Sequence, residues 1–119
     1  MPFDWKEFLD LARYLQGRAG AGFTQGASSR CAVGRAYFAA YGVAEDHAER
    51  EYGFRRTRGA ADHRRLRDCF REQGRDDIAG GLDELRGWRN QCDYDDVVPQ
   101  LEMMVDWALQ SADGVLGQM

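Results

Sequence analysis

Apolar residues recur along this chain at intervals of three and four, and no stretch alternates with the period of two that a half-buried strand requires. Five helical segments follow from that pattern. The first runs from about Asp4, a plausible N-cap, to Gln16, with Trp5, Phe8, Leu9, Ala12 and Leu15 on one face. A glycine-rich connection, "GRAGAGFTQGAS", separates it from the second, "SSRCAVGRAYFAAYGVAEDHAEREY". Between Ser29 and Ala44 the only charged residues are Arg30 and Arg35. A helix so nearly apolar on every side is surrounded by protein. Its small residues, Ala32, Gly34, Ala36, Ala39 and Ala40, allow neighbours to approach closely. Beyond Ala44 it turns charged, as if leaving the bundle.

The third segment, "ADHRRLRDCFREQG", is short and polar, anchored by Leu66, Cys69 and Phe70 and ended by Gly74. The fourth begins near Asp76 and Asp77 and runs to about Tyr94, with Ile78, Leu82, Leu85, Trp88 and Cys92 in one stripe. Gly80, Gly81 and Gly87 weaken its intrinsic propensity, so packing must hold it. The fifth follows Pro99 and carries Leu101, Met104, Val105, Ala108, Leu109, Ala112, Val115 and Leu116. The expected architecture is a single all-α domain over residues 1–119, an up-and-down bundle of four main helices plus one short one.

Charge changes this picture locally. The net charge is −4, yet residues 55–67, "RRTRGAADHRRLR", hold six arginines against one aspartate. No Lys or Arg follows Arg89, so the last segment is purely acidic. Arg55, Arg56, Arg58 and Arg64, together with Tyr52 and Phe54, combine the guanidinium groups and aromatic faces with which proteins hold single-stranded RNA. The same arginines would equally serve as a solvated face, or dock on the acidic tail of another copy. No apolar run is long enough to span a membrane and the start lacks a signal-peptide pattern, so a cytoplasmic location is expected. Three widely spaced cysteines, Cys31, Cys69 and Cys92, fit neither a disulfide framework nor a metal pair and are expected as small buried hydrophobes. His47 and His63 are expected to be solvent-exposed, and no metal or cofactor site is predicted.

The informative stretch is "LRGWRNQCDYDD", residues 85–96. At 100° per residue Arg86, Arg89, Asn90 and Asp93 lie together at the shoulder of the buried stripe. Arginines there must be paired or must face a cleft. Asp93 is expected to pair with Arg35, the lone charge midway along the second segment, or with Arg89, its neighbour one turn back. The functional reading starts from phosphate chemistry. Metal-free RNA cleavage needs an activated 2′-hydroxyl, a stabilised phosphoryl charge and a protonated leaving oxygen. Arginine suits the second task, because its planar fork donates to two oxygens and stays charged.

"SRCAVGRAYFAAY", followed some fifty residues later by "LRGWRNQCDYD", resembles the HEPN superfamily (higher eukaryotes and prokaryotes nucleotide-binding), most of all its small stand-alone bacterial members. Arg35, Ala36, Tyr37 and Ala39 match an "RAYYA"-like run. Leu85, Arg89, Asn90, Asp93, Tyr94 and Asp95 match "LRNxADYD", with "GW" as an insertion. The resemblance covers roughly residues 5–116. It implies a bundle of four to five helices that commonly dimerises across an arginine-bearing cleft. It also implies a metal-independent ribonuclease of a toxin–antitoxin or phage-defence system, often partnered by a nucleotidyltransferase-fold antitoxin. On this reading Arg89 stabilises the phosphate of RNA or a nucleotide, Asn90 orients it, and Arg86 contributes to binding. The family's motif histidine is missing: Tyr94, Asp95 and Asp96 occupy its three candidate positions, and no histidine follows. A tyrosine phenol is a poor general base at neutral pH but can donate a hydrogen bond to phosphate or act as an acid. The competing reading is a non-catalytic binding or assembly module whose "RNQCDY" cluster is a structural lock.

Overall fold

Thr24 starts the longest helix. Its side chain accepts the Ala27 N–H at 3.1 Å, an N-cap that extends the helix from Gln25 to Tyr52 and shortens the expected glycine-rich connection by one turn. The computed structural model describes residues 2–119 and holds five helices: α1 (Lys6–Leu15), α2 (Gln25–Tyr52), α3 (Asp62–Glu72), α4 (Asp76–Tyr94) and α5 (Leu101–Gly117). Among these residues there is no strand, only an isolated bridge between Gly20 and Phe23. The all-α expectation therefore holds, and no helix is long and apolar enough to cross a membrane.

α2 is the hub and packs against every other helix. Ala32, Ala36, Ala39, Ala40, Ala44 and Ala48 are all fully buried along it, so its neighbours close on backbone rather than on bulky side chains. At Gly42 the Trp5 ring lies so near that an added Cβ would sit 2.2 Å from it. α4 and α5 both pack against the hub, and their buried residues, Ile78, Leu82, Leu85 and Cys92 on α4 and Met104, Val105, Ala108, Ala112 and Val115 on α5, belong to the stripes anticipated from spacing.

Two expectations about α2 are corrected. It does not leave the bundle after Ala44: Glu45 and Ala48 stay buried, because α3 and the segment bearing Phe54 fold back over that end. Cys31 is exposed rather than buried, while Cys69 is half-buried and Cys92 buried.

The turn from α2 into α3 is tied by one carboxylate. Gly53 ends α2 at a φ of 69°, in the left-handed region. Asp62 then accepts the Thr57 N–H at 2.8 Å, the Thr57 hydroxyl at 2.7 Å and the Arg58 N–H at 2.9 Å, with Arg65 at 2.8 Å completing the set. These donors hold its carboxyl down to about 2 against the burial that would raise it; the Thr57 hydroxyl contributes most. This knot fixes where α3 begins, and with it the residue that follows, His63.

Candidate functional site

Arg89 lies on the inner shoulder of α4, its side chain 23% exposed and its guanidinium carbon 5.2 Å from the Phe38 ring centre. Asp93 Oδ2 sits 2.9 Å from Arg89 Nε but off the N–H direction, so the contact is an ion pair without a hydrogen bond. A long 3.4 Å contact from Nη1 to the Asn90 side-chain oxygen leaves most of the fork free. Of the two partners considered for Asp93, the structure therefore takes Arg89, and the Arg35–Asp93 pair is not formed. Arg35 faces aromatic rings instead, 4.6 Å from Phe8 and 5.4 Å from Phe38, with no carboxylate partner among the described residues. Phe38 thus carries two guanidinium groups, and at Arg35 cation–π attraction stands in for the missing counter-charge.

His63 overturns the expectation of solvent exposure. It is half-buried in the first turn of α3, its ring stacked on Tyr41 at 4.4 Å and 24° and flanked by Phe38 at 6.3 Å. Its Nδ1 meets the Tyr37 hydroxyl. Tyr37 is the largest fully buried side chain of the core. Burial lowers the imidazole pKa from its ordinary 6.5, and the charges of Arg86, Arg89 and Arg67 lower it further. Burial also pushes the Tyr37 phenol up to about 12, against the pull of the same three arginines. At neutral pH the pair is thus a neutral imidazole held in place by a neutral phenol. His47 is likewise half-buried, stacked on Phe70 at 6.1 Å.

Arg86 is half-buried without a carboxylate partner among the described residues, whereas buried Arg67 has Asp83 at 3.5 Å. The charges of Arg86 and Arg89 of α4 thus bear on a Tyr37–His63 pair from α2 and α3, and Asn90 lies beside Arg89. The basic stretch divides. Arg56 is consumed within the fold, facing Glu45 at 3.1 Å, Asp46 at 3.0 Å and Glu49, because these acids project together from the last turns of α2. Arg55, Arg58 and Arg64 stay exposed, Arg64 only loosely near Asp68 at 3.7 Å. Tyr94 is 75% exposed, and its hydroxyl makes no hydrogen bond among the described residues.

The sequence held one overlooked signal for His63. It lies three and seven residues before Leu66 and Phe70, both fully buried, so it shares their face of α3. Arg30 was overlooked too: from α2 it donates to the carbonyls of Cys92 at 2.8 Å, Asp95 at 2.6 Å and Asp96 at 2.9 Å, closing the end of α4. Among the described residues no group of His, Cys, Asp and Glu is arranged to hold a metal ion. No protein-family model, curated protein or solved structure matches the chain.

Proposed function

We propose that this chain is a HEPN-like, RNA-engaging protein, an up-and-down bundle that acts as a metal-independent endoribonuclease of a toxin–antitoxin or phage-defence system. The observation that carries the reading is that Arg89 and His63 both lie against Phe38, with the charges of Arg86 and Arg89 bearing on the Tyr37–His63 pair. Arg89 and Arg86 take the phosphoryl oxygens, and Asn90 orients the group. His63 supplies the proton acceptor that the residues after Asn90 lack. The RNA 2′-oxygen attacks phosphorus and gives its proton to the imidazole. The bond to the 5′-oxygen breaks and that oxygen takes a proton, from the imidazolium or from Tyr94. The products are a 2′,3′-cyclic phosphate and a 5′-hydroxyl. A second copy of the chain is the expected partner in the cytoplasm, and exposed Tyr94, Val97, Met103 and Trp107 offer it apolar surface. A nucleotidyltransferase-fold antitoxin or another defence protein would complete the complex.

The test is cleavage of single-stranded RNA in EDTA by wild type, Arg89→Ala and His63→Gln. Wild type should leave cyclic-phosphate ends, and each variant should lose about a hundredfold or more in rate.

A second reading, a non-catalytic assembly module, draws support from the Arg30 contacts, which lock the "RNQCDYDD" segment whatever its chemistry. Folded variants and wild type that are all inactive on RNA would favour it.

A further inference from the structure

A pocket of about 270 Å³ opens beside His63. Trp5, Phe38, Tyr41 and His63 line it with aromatic rings, beside two buried carboxylates, Glu45 and Asp62, and two guanidinium groups, half-buried Arg56 and exposed Arg58. We propose that this pocket seats one nucleobase of the RNA whose phosphate meets Arg86 and Arg89; the proposal rests on the RNA reading above and names the subsite that reading lacks.

Four observations carry it. The volume, just below that of drug-sized ligand sites, suits a single flat ring system. Its aromatic rings come from three separate segments, before α1, along α2 and at the start of α3, and present the π-surfaces on which bases stack. Phe38 lines this pocket and also carries the Arg89 guanidinium at 5.2 Å, so the pocket adjoins the arginine cluster through a shared ring. Glu45 accepts from the Tyr41 hydroxyl at 2.9 Å and faces Arg56 at 3.1 Å, one contact per oxygen. Each oxygen keeps a lone pair for an N–H on a base edge. The larger hollow of about 500 Å³ between the start of α4 and the end of α5 does not compete: Asp76, Asp77 and Glu84 line it with no basic residue, and it would repel a phosphate.

Gly59 provides a mild way to block the pocket. It lines the pocket, and an added Cβ would meet only the Thr57 hydroxyl oxygen at an ordinary 3.5 Å, so Gly59→Leu adds bulk at the pocket wall without a clash at its Cβ. Wild type and Gly59→Leu are titrated calorimetrically with adenosine 3′-monophosphate and, as the base-free control, ribose 5-phosphate. Wild type should bind the nucleotide about tenfold more tightly than the sugar phosphate. Gly59→Leu should lose that margin, keep the sugar-phosphate affinity and melt like wild type. Equal affinities in wild type, or a margin that survives in Gly59→Leu, would overturn the base seat even with metal-free RNA cleavage intact. Absence of both phosphate binding and RNA cleavage in wild type would remove the RNA reading and this subsite together.

Discussion

Arg30 and Cys92 are joined across the bundle: the guanidinium on α2 donates to the last buried carbonyl of α4 at 2.8 Å and reaches on to Asp95 and Asp96. A helix end leaves its final carbonyls without intrahelical partners, and this arginine takes one of them, at Cys92, together with two carbonyls just beyond the helix, where no basic residue lies in the last turn of α4 itself.

Arg30→Ala should therefore destabilise the fold by about 2–3 kcal/mol, the loss of several charge-assisted bonds at a partly buried site. Urea melts measure this directly, and a change under 1 kcal/mol would show that water replaces the guanidinium at little cost.

Asp93→Ala should behave in the opposite way. Its pairing with Arg89 joins side chains 40% and 23% exposed on one helix face, and solvent screening leaves such a pair worth under about 1 kcal/mol. A loss of 3 kcal/mol in chemical melts would instead assign Asp93 a buried structural role.

Protonation of His63 should weaken the protein. The fold lowers its pKa below 6.5, so the unfolded chain takes up the proton first as the solution is acidified. The stability held by the neutral ring is full above 6.5 and declines below it, through the folded-state midpoint. Asp62 adds a second acid loss, between 3.8 and about 2. In NMR titrations the His63 ring should show a midpoint below 6.5; a midpoint above it would mean a net attraction for the cation that the three arginines forbid.

Gly42→Ala should cost about 1–3 kcal/mol by overpacking, because its Cβ would fall on the Trp5 ring. Trp5 would be displaced and its emission should shift to the red. An unshifted spectrum with unchanged stability would place Trp5 elsewhere in solution.

Those residues also show which features were legible in the sequence. The stripes of α4 and α5 were, because each is a one-sided helix whose apolar spacing has a single solution, and so was the enclosure of α2. The first turn of α2 was obscured by Gly26 and the polar run around it, where Thr24 supplies a cap that spacing does not reveal. The arginines of α4 could be placed on their shoulder, but their partners could not. Whether Asp93 faced Arg35 or Arg89 depends on the rotation of α2 against α4, and that is settled by small side chains packing from all sides. His63 was misplaced for a related reason: a short, polar helix looks solvated until Leu66 and Phe70 are seen to define its inner face.

The carrier of His63 has a consequence for the site. The imidazole rides on α3, positioned by Asp62 and the turn it ties, while the guanidinium groups ride on α4. The two halves of the candidate site thus rest on separate helices and are structurally separable. A change in that one surface turn would displace the ring and leave the arginine cluster of α4 intact; on the ribonuclease reading, that is the step from cutting a strand to holding it, with no rebuilding of the bundle.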